Sequence, residues 1–297
     1  MKSEKIFDIF LMIALFLGFS HLSGCQRPPG QVEDKKPVIA VSITPQKTFV
    51  EAVCGDLAEV IVMVPPGSSP ENYEPTPQEM ERFNQAVFYF AIGVPTETAH
   101  IMPQAETLPN MKIIKLHEEV SAQYPDIEIA PGERDPHIWL SPKRAKTMIE
   151  IISRELSQWD SKHQETYQQN AQSYIEKLEK LDLEIQEVLS PVKNRKFIVF
   201  HPAFGYLADD YHMTMYALEE EGKESTPQHL KEMIDLAKKE NIKAIFYQAE
   251  ISSQQAQSFA EEIGGNTIQL APLAPNYIEN LRNLVTLMAE VMSHYTP

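Results

Sequence analysis

Residues Ser161 to Leu189 read SKHQETYQQNAQSYIEKLEKLDLEIQEVL, and the rhythm of this stretch decides how the rest of the chain is arranged. Tyr167, Ala171, Tyr174, Leu178, Leu181, Ile185 and Val188 recur at alternating spacings of four and three. That period lays one apolar stripe along a helix and leaves the charges on its other faces. Asp160 and Ser161 offer N-cap oxygens, and Pro191 ends the run because it has no N–H for the helical ladder. At 1.5 Å per residue such a helix is roughly 43 Å long, more than a small domain is wide. An amphipathic helix lying on a single core would account for the stripe. The length favours a strut between two bodies.

The segments on both sides of it alternate short apolar runs with helical patterns. Before it, 37–43, 58–64, 87–92 and 111–116 read as buried strands. They are separated by helices up to Cys54, after Thr76-Pro77, and from Ser141-Pro142 to about Gln158. The stretch 117–136 reads as a polar loop. After the strut come strands at 197–200, 213–218, 244–247 and 267–270, with helices at 203–210, from Thr226-Pro227, after Ser252 and at the C-terminus. The expected fold class is α/β: two open, mostly parallel lobes joined by one long rigid helix. The corresponding divisions are a lobe at 37–159, the linking helix at 160–191 and a second lobe at 192–297.

The 297 residues leave room for two ordinary domains, and 43% apolar content suits a folded body. A formal charge of −16 repels nucleic acid and anionic lipid, so neither is an expected partner. Lys2 and Lys5 precede an apolar run, Ile9 to Phe19, that is shorter than the about 20 residues a spanning helix needs. It ends in Leu22-Ser23-Gly24-Cys25, a string that resembles the bacterial lipobox. Residues 1–25 thus read as a signal peptide in which Cys25 takes the lipid, and 26–36 as a tether. The expected location is exported and membrane-anchored. Cys54 lies in a different context and reads as a small core residue, so no disulfide is expected.

In open parallel sheets ligands bind beyond the carboxyl ends of the strands. Glu71 and Glu74 follow the second strand, His201 ends the first strand of the second half, and Gln248 and Glu250 follow a later one. His137 lies in a loop pinned by Pro136 and Pro142. Imidazole and carboxylate donors converging from two lobes are what a transition-metal site needs. The remaining histidines of the folded part, His100, His117, His163, His212, His229 and His294, read as structural or surface residues.

Three motifs occur in order: PPGSSPENYEPTP from Pro65, DPHIWLSP from Asp135 and VFHPAFGYLADDYHM from Val199. With the lipobox and the long helix, they resemble the zinc/manganese-binding solute-binding lipoproteins of bacterial ABC importers, cluster A-I, from residue 37 to the end. The resemblance implies a cation held between two lobes and handed to a membrane ABC permease, with zinc favoured and manganese or iron also suited. It implies His137 and His201 as ligands, a monomer, and Glu74 as an organiser of its loop. Two positions depart from the family. Glu71 stands where the family has a first His ligand, and Ala271 stands where a Leu-Asp-Pro-Leu segment supplies an Asp. Glu71 could replace the His, Glu250 could replace the Asp, or the pocket could have lost its ion. The stretch after His117 also lacks the His-rich loop of many zinc-specific members.

Capture rather than turnover is the expected activity, with no enzymatic role. A zinc hydrolase using His137, His201 and Glu250 is disfavoured because no H-E-x-x-H occurs. An ion-free lipoprotein acting as an adhesin or assembly module is the competing reading, and Ala271 is its motive.

Overall fold

Val38–Val41 carries three β-branched residues in four and is buried on both faces, which suits the centre of a parallel sheet. The computed structural model describes residues 36–219, 225–251 and 254–294. The leader, Cys25 and the tether up to residue 35 lie outside the described residues.

In the first lobe β1 (Val38–Val41) is followed by α1 (Thr44–Cys54), β2 (Glu59–Val62), α2 (Pro77–Phe83), β3 (Ala86–Ala91), α3 (Met102–Ala105) and β4 (Lys112–Lys115). The strands lie in the order β2-β1-β3-β4, all parallel. Next come α4 (Leu116–Ser121), a small antiparallel hairpin of β5 (Glu128–Ala130) and β6 (Glu133–Arg134), and α5 (Pro142–Trp159). The stretch read as a polar loop is thus partly ordered. Leu116 and Val120, four apart and buried, suffice for a short helix, and Gly132 takes φ 81° at the hairpin turn.

The long helix α6 (Gln164–Leu189) has 26 residues, about 39 Å of axis. It starts three residues later than its cap signals suggest, because Ser161–His163 form a 3-10 turn first. The Asp160 carboxylate accepts bonds from the His163 ring (2.6 Å) and the Tyr167 hydroxyl (3.1 Å), so it ties side chains rather than backbone N–H groups. Beyond α6 lie β7 (Lys196–Val199), α7 (Gly205–Asp210), β8 (Thr214–Ala217), α8 (Pro227–Lys239), β9 (Ala244–Gln248), α9 (Gln254–Glu262), β10 (Asn266–Leu270) and α10 (Tyr277–His294). This second sheet is also all parallel, in the order β10-β9-β7-β8.

Strand alternation sorts the apolar side chains into three cores. Ile39, Val41, Phe88 and Phe90 of the first sheet join Phe197, Val199, Phe246 and Leu270 of the second in one continuous cluster. The buried stripe of α6, from Tyr167 through Leu178 and Leu181 to Leu189, runs through it, with α1, α5 and α10 packed alongside. The opposite faces carry separate clusters, around Ala40 and Tyr89 in one lobe and Ile198 and Ile245 in the other. The helix therefore links two lobes and also lies in a shared core. The described residues form one compact unit as a result.

Leu181, fully buried at the middle of α6, tests this arrangement. Leu181→Ala is expected to lower unfolding stability by about 2–5 kcal/mol. Because the core is shared, far-ultraviolet circular dichroism and the fluorescence of Trp139 and Trp159 should report one coincident denaturant transition in both proteins.

Candidate metal centre

Three chain segments deliver donors to one point. The first is the proline-pinned loop 65–75 after β2. Thr96 N donates to Pro70 O at 3.0 Å, the Thr96 hydroxyl donates to Tyr73 O, and Tyr73 OH donates to the Glu79 carboxylate at 2.8 and 2.9 Å. Glu79 also closes a capping box with Thr76 at the start of α2. These bonds orient the loop. Glu74, expected to do so, is exposed and makes no side-chain hydrogen bond among the described residues. Glu71 is left with a third of its side chain open to solvent.

The second segment carries His137 out of the hairpin and into a 3-10 turn, Ile138–Leu140. Asp135, fully buried, accepts from His137 N and from His137 Nδ1, both at 2.8 Å, through its Oδ1. A carboxylate only accepts, so the imidazole proton sits on Nδ1 and Nε2 presents its lone pair. Three bonds tie this loop to the second lobe: Tyr206 OH to Asp135 O (2.9 Å), Trp139 Nε1 to Pro272 O (3.1 Å) and Tyr277 OH to Trp139 O (2.7 Å). Gly205 is required here, since a methyl group on it would collide with Asp135 Oδ2. Arg134 braces the other side, donating to Gly93 O (2.8 Å), Ile92 O (3.2 Å) and Asp135 O (3.0 Å).

The third donor is His201, at the carboxyl end of β7. Its Nδ1 donates to Glu219 Oε2, which turns Nε2 toward His137. The two Nε2 atoms lie 3.3 Å apart, with ring planes at 75°. Glu71 Oε1 stands 4.0 Å from His137 Nε2 and 3.8 Å from His201 Nε2. Glu71, His137 and His201 are the one group of three or more potential metal donors among the described residues. They stand on the wall of a cleft of ≈ 530 Å³ that also touches Arg134, Glu219 and His229.

Glu250 does not join the group and does not line the cleft. It sits just past β9 with Oε2 buried and unpartnered, and burial pushes its carboxyl above the usual range. Ala271 offers only a carbonyl, which accepts from Asn280 Nδ2 at 2.9 Å. Reading the sequence missed Glu219 as a partner of His201. Its place directly beyond β8, at a carboxyl strand end, was the available signal.

Two parallel-sheet lobes on a shared helix bring imidazole and carboxylate donors together at the strand ends, a donor set suited to a transition-metal cation. The family described as ZnuA, zinc-uptake complex component A periplasmic, matches residues 39–291, and the chain belongs to that family. It is a family of uptake components, not of enzymes. The zinc-binding lipoprotein AdcA of Streptococcus pneumoniae (strain R6) is 30% identical over 259 residues, covering 81% of this chain and 50% of its own length. The chain thus spans about half the length of such relatives. The iron-binding protein YfeA of Yersinia pestis is 27% identical, covering 86% of each. A crystal structure of ZnuA superimposes with a TM-score of 0.82 at 35% identity, covering 87% of this chain and 100% of that one.

His117 has the structural role expected of it. It packs against Gly93 beside Arg134, its Nδ1 is buried without a partner, and it is held down to about 4, first by burial and then by the Arg134 charge. The depressed value means that the unfolded chain takes up the proton first. Stability from the neutral ring is therefore full above about 6.5 and is lost as pH falls from there to about 4. Urea denaturation at pH 7 and pH 4.5 should show the wild type losing about 2 kcal/mol more than His117→Phe.

Proposed function

We propose that this chain captures a transition-metal cation, zinc before manganese or iron, between its lobes and delivers it to an ABC permease. The observation that carries this reading is the convergence of two buried Nε2 lone pairs on one point beside Glu71. Two nitrogens each about 2.05 Å from a cation and subtending the tetrahedral angle are about 3.3 Å apart; a right angle would bring them to about 2.9 Å. The observed 3.3 Å is compatible with a tetrahedral ion such as zinc. The family description and the AdcA name support the same metal, and the YfeA name supports iron as a second occupant.

In capture, the cation enters through the cleft and exchanges water for the two imidazoles. Glu71, partly exposed on its loop, closes the remaining few tenths of an ångström by a rotamer change. Water takes the fourth position that Ala271 leaves open, since Glu250 does not line the cleft. The shared core opposes large hinge closure, so loading is a matter of local side-chain movement. Outside the fold, lipidated Cys25 would hold the monomeric protein at the periplasmic or cell-surface face of a membrane, within reach of the permease. This is binding without turnover.

Calorimetric titration of the metal-stripped protein tests the reading. One zinc per chain is expected, bound more tightly than manganese, with His201→Ala weaker by more than about 100-fold. Only neutral rings coordinate, so affinity measured from about pH 7 to about pH 5 should fall. A flat affinity over that range would exclude histidine ligation. No binding of either ion would instead favour the ion-free adhesin or assembly role.

A further inference from the structure

His137 and His201 are held in the same chemical manner by unrelated means. Asp135 reaches His137 from two residues away, within one tight loop. Glu219 reaches His201 across the sheet, from a different strand. The backbone makes that reach dependable. Past the last paired residues of β7 and β8, Leu218 N donates to Val199 O and Glu219 N donates to Phe200 O, both at 2.9 Å. The ladder thus runs on until Glu219 stands beside His201 itself. Leu218 is fully buried, and its carbonyl accepts the Ser225 hydroxyl, which anchors the strand end from the far side. The Glu219 side chain is 13% exposed and that of His201 7%.

The geometry points to Glu219 as the positioning residue that decides which nitrogen of His201 is free to bind a cation. A neutral imidazole carries one proton on either of two nitrogens, and the bond made by one nitrogen sets the state of the other. With the Glu219 carboxylate beside Nδ1, the proton is kept there, Nε2 keeps its lone pair, and the ring faces His137 and Glu71. The negative charge also strengthens Nε2 as a donor. Without Glu219, a fraction of the rings would carry the proton on Nε2 and would have nothing to offer the ion. Glu133, another carboxylate on the cleft wall, bonds to neither imidazole, so proximity of charge and positioning can be separated.

This inference rests on the capture reading above, and its test distinguishes the two. Nitrogen-15 spectra of histidine-labelled, metal-free protein read the tautomer of His201 directly, and zinc titration of the same samples reads affinity. The wild type and Glu219→Gln, whose amide oxygen still accepts, are expected to keep the proton on Nδ1. Glu219→Ala is expected to populate the Nε2–H form and to weaken zinc binding by about 10–100-fold, with Glu219→Gln weakened less. Glu133→Gln is expected to stay within about threefold of wild type, the range left to a screened surface charge. An unchanged tautomer or an unchanged zinc affinity in Glu219→Ala would overturn the assignment. So would an equal loss in Glu133→Gln and Glu219→Gln, which would reduce the effect to diffuse charge. If the tautomer follows Glu219 but the wild type binds no zinc, the capture reading fails and Glu219's hold on the ring stands.

Discussion

Two buried ring nitrogens face each other across 3.3 Å, each with its proton committed to a carboxylate on its far side. Lone pairs at that separation repel unless a positive charge lies between them, and burial keeps water from screening the repulsion. That is the position the proposed cation would take. The arrangement draws on all the surrounding structure: the Asp135 loop, the extended end of β8 and the braces from Arg134 and Tyr206 each remove a way for the rings to turn apart.

Orientation of the rings is of use only if their separation is also kept. His137 leaves the first lobe and His201 ends the first strand of the second, so their spacing is a property of the lobe interface. That interface is not a hinge with a thin contact. Inner-face residues of both sheets and the α6 stripe share one core, and Trp139 and Tyr277 bond across it. Cores of this kind resist small displacements because each side chain already fills its space. Glu71 is the exception, a partly exposed side chain on a loop, and it is the donor that stands farthest from its binding distance.

Much of this was legible in the sequence, for reasons that differ from residue to residue. The α6 stripe announced itself through its period, and Tyr167 to Ile185 are buried as that period requires; Val188 is half-buried and the adjacent Leu189 takes its place in the core. Glu71 and His201 follow strand ends, where parallel sheets collect ligands, His137 lies in a proline-pinned loop, and the family resemblance singled out these positions; the structure brings the three together. The same rule nominated Glu250, which stays outside the group, because a position at a rim does not determine where a side chain turns. Glu219 also stands just past a strand end, but its bond to His201 could not be read from the sequence. Its relation to His201 spans 18 residues and depends on strand register, which leaves no local pattern. The hairpin at 128–134 is too short for periodicity to declare it.

The central claim is that Glu71, His137 and His201 surround one cation between the lobes. The most direct test is a crystal structure of the zinc-loaded protein with data collected at the zinc absorption edge. A single anomalous peak is expected about 2.0–2.1 Å from both Nε2 atoms, with a Glu71 carboxylate oxygen at about 2.0–2.2 Å. A peak elsewhere on the chain, or one between the lobes with either imidazole turned away from it, would contradict the account.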